Sequence, residues 1–121
     1  MTTDHLQLTA ACRACADACI RTTMNECWDR NTDHAVHYRL LSDCAELCDL
    51  TARLIECNSP TRRAVAAACA DVCAAAAVTC TVLEIDDCEL ACRACAEALT
   101  GSPAVPVYTL PVAMAQTAHV T

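Results

Sequence analysis

The sequence predicts an all-α fold, an antiparallel up-down four-helix bundle with a cysteine-lined core and a non-helical C-terminal tail. Three observations predict it. Four long stretches have no interior glycine or proline, helix start and stop signals fall between them, and cysteines recur along each at spacings of three and four. A chain of 121 residues holds one such core. The predicted division is a bundle over 1–100 and a Pro-containing tail over 101–121.

The first helix is expected from about Asp4 to Arg30, where Asn31, Thr32 and Asp33 break it. The second follows and reaches about Glu56. Ser59 and Pro60 form an N-cap followed by proline at the first helical position, so a third helix should begin there and extend to about Glu84. Asp86 or Asp87 caps a fourth, which ends at Gly101. Connections this short force neighbouring helices to run antiparallel. Beyond Gly101, Pro103, Pro106 and Pro111 forbid a helix. That tail is either disordered or uses Val105, Val107, Tyr108, Leu110 and Val112 to pack on the bundle or a partner.

An internal repeat supports the four-helix division. Ala11-Cys12-Arg13-Ala14-Cys15-Ala16-Asp17-Ala18 matches Ala91-Cys92-Arg93-Ala94-Cys95-Ala96-Glu97-Ala98 at every position but one. Asp43-Cys44-Ala45-Glu46-Leu47-Cys48 and Ala68-Cys69-Ala70-Asp71-Val72-Cys73 are weaker versions on the middle helices. At about 100° per residue, Cys12, Cys15, Cys19 and Cys27 fall within about 120° of arc on the first helix, with Thr23 on the same line. Cys44 and Cys48 share a face with His37, Leu41, Thr51 and Ile55. Cys69, Cys73 and Cys80 align within about 40°, and Cys88, Cys92 and Cys95 within about 60°. Twelve of the 13 cysteines therefore point to a common axis if these faces are buried. Cys57 lies opposite its helix's stripe, as an exposed thiol or a ligand at the end of the bundle.

Composition narrows the chemistry. Phenylalanine is absent and Trp28, Tyr38 and Tyr108 are the only aromatic residues, so the core lacks bulky groups and thiols must fill its middle. A net charge of −7 with no lysine excludes a nucleic-acid footprint. For a full precursor, the absence of a basic n-region and an apolar h-region in Met1 to Thr9 predicts a cytoplasmic chain. No uncharged apolar run of about 18 residues is present, so no membrane span is expected. A structural disulfide scaffold is disfavoured by the odd cysteine count and by long helices with a single glycine.

Thiols three or four residues apart on a helix can share one ion, and two or three soft ligands suit Cu(I). Each thiolate can bridge two ions, and one positive charge per thiolate leaves a loaded core near neutral. Facing helices can also assemble the four-thiolate sites that zinc prefers, so zinc stays open. Ferredoxin-type runs for iron–sulfur clusters are missing. Cys12-Arg13-Ala14-Cys15 and Cys92-Arg93-Ala94-Cys95 have redox spacing without the surrounding βαβ pattern, so no enzyme is expected. His5, His37 with His34 one turn earlier, and Met24 lie near the ends of the stripes as candidate capture ligands.

Cys12-Arg13-Ala14-Cys15-Ala16-Asp17-Ala18-Cys19, Asp43-Cys44-Ala45-Glu46-Leu47-Cys48, Cys69-Ala70-Asp71-Val72-Cys73 and Cys88-Glu89-Leu90-Ala91-Cys92-Arg93-Ala94-Cys95 resemble the motifs of the bacterial copper storage proteins, specifically their cytosolic branch. The resemblance covers about residues 10 to 100. It implies a homotetramer of bundles, each storing multiple Cu(I) ions. The outer face of the third helix, with Ala64, Ala67, Ala75, Val78 and Val82, is independently apolar enough for a subunit contact. Thr23, Ala76 and Leu99 stand where similar proteins often carry further cysteines, and Cys57 and the tail depart from the pattern.

Overall fold

The computed structural model describes residues 2–26 and 35–101, the side chains of 2–4 and 26 excepted. Cys27, His34 and the tail from 102 onward lie outside the described residues. Four helices follow in order: α1 (Thr2–Glu26), α2 (Ala35–Glu56), α3 (Arg62–Leu83) and α4 (Asp86–Thr100). Each helix packs on its neighbours in sequence, and α4 closes the ring on α1. Cross-helix contacts fix the directions. Arg13 reaches Glu56 while Cys15 meets Cys44, and Cys12 meets Cys95 while Cys19 meets Cys88, so α1 runs antiparallel to both α2 and α4.

The termini explain the tight turns. α2 ends with Asn58 in the left-handed region, the Asn58 amide donating to Ile55 O and the Ser59 amide to Leu54 O. α3 ends the same way: the Glu84 amide donates to Thr81 O and the Ile85 amide to Cys80 O. Both are paired closures that satisfy the last carbonyls of a helix. Glu84 adopts φ 58° there, where a side chain is strained and glycine is not. Gly101 takes that role after α4, at φ 71°.

Two expected starts differ. Ser59 and Pro60 precede a turn instead of opening α3: the Thr61 amide donates to Ser59 Oγ and the Arg62 amide to Ser59 O, a three-residue closure of the 3₁₀ kind. The α-helix begins at Arg62. α4 is opened by Ile85, whose side chain has no acceptor to cap it and whose amide closes α3. Asp86, Asp87 and Glu89 in the first turn instead favour the positive end of the helix dipole.

The core consists of cysteine and alanine with Leu41 and Ile55. Alanines such as Ala45, Ala52, Ala70, Ala74 and Ala96 fill the buried positions between the thiols. The first-helix stripe deviates from the expected line at its end: Thr22 is buried, whereas Thr23 is half-exposed and donates to Ile20 O. Thr22 donates to Ala18 O, which allows a hydroxyl to be buried there. By length and composition α3 alone among the described helices could cross a membrane. Its apolarity comes from alanine, valine and cysteine, and nearly half of it is buried within the bundle. Ala64, Ala67 and Val82 are exposed on its outer side, while Ala75 and Val78 are half-covered.

Candidate metal centre

Eleven of the twelve cysteines predicted to face inward are buried and free of disulfides; the twelfth, Cys27, lies outside the described residues. They occur in tiers because all four stripes use the same helical spacing. Cys12, Cys48, Cys69 and Cys95 lie toward the end formed by the start of α1. Cys15, Cys44, Cys73 and Cys92 form the middle. Cys19, Cys80 and Cys88 lie toward the opposite end.

Sulfur contacts join the tiers into one network. Cys73 Sγ lies 3.9, 3.7, 3.4 and 3.8 Å from those of Cys15, Cys44, Cys48 and Cys69. Cys15 also lies 3.8 Å from Cys44 and 3.7 Å from Cys92, and Cys19 lies 3.7 Å from Cys92. Cys88 reaches Cys19 at 3.8 Å, and Cys95 reaches Cys12 at the same distance. A disulfide needs about 2.05 Å, so these are thiols in van der Waals and weak hydrogen-bonding contact. Three groups are compact enough to hold an ion: Cys15, Cys48, Cys73 and Cys95; Cys15, Cys19, Cys44 and Cys92; and Cys80, Cys88 and Cys92.

Crowding governs the protons. Hydrogen bonding with Cys69 and Cys95, then burial, raises the Cys12 thiol. Bonds with Cys15, Cys44, Cys48 and Cys69 raise Cys73. Cys15 is lowered because its neighbours Cys19, Cys44, Cys48 and Cys73 stabilise its thiolate. Bonds with Cys88 and Cys92 bring Cys80 down to about 5. The cluster thus shares protons unevenly, and among the described residues no arginine stands inside it to offset further ionisation: the paired arginines lie on the outside. A soft cation that displaces those protons is the complement the site needs.

The remaining candidates are at the ends. His37 Nδ1 is 3.3 Å from Thr79 Oγ1, half-buried near the Cys80 end. Met24 is at that end too, 65% exposed. His5 is exposed at the other end and borders a cavity of about 400 Å³ with Leu8, Ile55, Arg62, Arg63, Ala66 and Leu99. Neither histidine is in a thiol group. Cys57 is exposed, its sulfur 3.7 Å from Leu54 O. Sequence reasoning did not single out the small surface cavity of about 140 Å³ where Thr22, Asn25 and Asp87 surround Cys88. Its signal was Asp87 next to a stripe cysteine, but Thr22 and Asn25 become its neighbours only when α1 packs on α4.

The fold and its buried sulfurs define a thiol-lined, metal-binding helical bundle. The family model described as copper storage protein matches residues 1–101. An uncharacterized cysteine-rich protein of Bacillus subtilis (strain 168), YhjQ, is 30% identical over 95 residues, 69% of this chain and 88% of that one. The crystal structure of the Nmul_A1745 protein from Nitrosospira multiformis superposes with a TM-score of 0.76 at 30% identity, covering 82% of this chain and 94% of that one. The chain belongs to the copper storage protein family.

Proposed function

We propose that this protein stores and buffers multiple Cu(I) ions on the thiolates of its lumen and releases them to cellular acceptors. The observation that carries the reading is the continuity of the sulfur network: contacts of 3.4–4.0 Å run from Cys12 through Cys95, Cys48, Cys73, Cys15 and Cys92 to Cys88 without interruption. A delivery protein needs one site, whereas this column has ligands for many. Cu(I) suits it because one positive charge per thiolate keeps the buried load near neutral. Cys12, Cys15, Cys19, Cys27, Cys44, Cys48, Cys69, Cys73, Cys80, Cys88, Cys92 and Cys95 are the proposed ligands. His37 and Met24 would capture ions at the Cys80 end and His5 at the other. Storage, not catalysis, is the function.

The cytoplasm is the proposed compartment, since so many free thiols persist only where the surroundings are reducing. Assembly as a homotetramer through the outer face of α3 would cover Val82, which is 59% exposed. The test is an anaerobic Cu(I) titration of the reduced protein against a competing chelator, with mass by light scattering. Uptake of about one ion per buried thiol supports storage. Saturation at one or two ions per chain refutes it and favours delivery.

A further inference from the structure

We infer that the lumen also holds divalent zinc, as two four-thiolate ions joined through a bridging Cys15. This does not rest on the copper reading; it concerns a different ion, coordination and stoichiometry on the same thiols.

The geometry carries it. A zinc–sulfur bond of about 2.3 Å sets the edge of a ZnS₄ tetrahedron near 3.8 Å. In the group of Cys15, Cys19, Cys44 and Cys92, the Cys15–Cys44, Cys15–Cys92 and Cys19–Cys92 edges measure 3.8, 3.7 and 3.7 Å. All six edges lie within 4.8 Å. Four coplanar sulfurs with sides of that length would have a diagonal of about 5.4 Å, so the group is not a planar square of the kind that suits Cu(II). The group of Cys15, Cys48, Cys73 and Cys95 meets the same limit, with edges of 3.9, 3.4 and 4.0 Å for Cys15–Cys73, Cys48–Cys73 and Cys48–Cys95.

The two groups have one sulfur in common, that of Cys15. With both groups filled, Cys15 donates a lone pair to each ion and the remaining six thiolates are terminal. Seven thiolates around two divalent ions carry one negative charge fewer than two separate four-thiolate sites, which reduces the cost of burial. On binding, the thiols release their protons to solvent and no electron is transferred.

Cobalt(II) is the probe, because tetrahedral thiolate coordination colours it and a thiolate bridge couples the spins of two ions. The reduced full chain is titrated anaerobically with Co(II), followed by zinc displacement. Expected is thiolate-to-cobalt absorption that saturates at two ions per chain, with the magnetic moment per cobalt falling as the second ion binds. Cys15→Ser is expected to weaken the absorption of both ions, whereas Cys44→Ser and Cys48→Ser each affect one. Circular dichroism of the metal-free variants checks that they fold. Saturation at a single ion, an undiminished moment at two, or a Cys15→Ser variant no different from Cys44→Ser would overturn the bridge. The wild-type moment alone decides the matter if Cys15→Ser does not fold. Copper capacity, measured separately, is unaffected by either outcome in the wild type.

Discussion

Cys73 has more close sulfur neighbours than a packing role requires, and Cys73→Ala separates packing from ligation. Its sulfur touches four others at 3.4–3.9 Å, from Cys15, Cys44, Cys48 and Cys69. Removing one buried sulfur leaves a void of roughly 20 Å³, costing about 0.5 kcal/mol, and loses a burial contribution somewhat below about 0.8 kcal/mol. The metal-free protein should therefore lose about 1 kcal/mol, near 4 °C in Tm for a domain of this size. A loaded protein also loses a ligand. Structural zinc sites with four ligands contribute about 10–16 kcal/mol, or about 3 kcal/mol per ligand, and that figure is taken as the scale for one thiolate ligand here. The Cu(I)-loaded variant should then fall by about 10 °C or more. The assay is anaerobic thermal unfolding of wild type and variant, each with and without copper. Equal Tm losses in the two states would refute ligation by Cys73 and leave it a core residue.

Three further outcomes follow from the same structure. Cys57→Ser should leave the number of bound copper ions unchanged, because Cys57 is exposed and outside the sulfur network; a lower count in a chelator competition would make it a ligand. Glu84→Gly should raise metal-free stability by about 1 kcal/mol in urea unfolding, by relieving the left-handed strain at φ 58°, and no change or a loss would refute that. Copper affinity should fall with pH: Cys12, Cys48, Cys73 and Cys92 hold their protons above the ordinary thiol range and Cys44 is pushed up to about 11, so each ion must displace protons and acid restores the competitor. Chelator competition at several pH values with constant ionic strength checks it, and an affinity independent of pH would contradict proton displacement.

Much of the site was legible because helical periodicity is local. The angular positions of Cys44 and Cys48, or of Cys69, Cys73 and Cys80, depend only on 3.6 residues per turn, and each stripe is buried. Cys57 reads as an outlier on the same grounds and is exposed. Starts were harder. The Ser59-Pro60 signal is a true break, but an extra turn precedes α3, and Ile85 opens α4 while its amide closes α3. Local propensity carries no account of an amide committed to the preceding helix. Thr22 rather than Thr23 turns inward for a similar reason: measured from Cys12, Cys15 and Cys19 alone, both lie about 50° from the stripe's centre, and the neighbouring helices select between them.

The sequence by itself determined that four helices form, which face of each is buried and that the buried groups are thiols, since these follow from spacing along one chain segment. Only the tertiary structure decided which sulfurs meet. Axial register between helices is set by the length of the turns and by alanine packing, and a slip of one turn would move every sulfur about 5.4 Å along the axis. That register places Cys15 in two groups at once, places Cys92 in one of those and in the third, and opens Cys88 to a surface cavity. A cysteine's place on its own helix makes it available as a ligand; the height of its neighbours on the other three determines with which sulfurs it can share an ion.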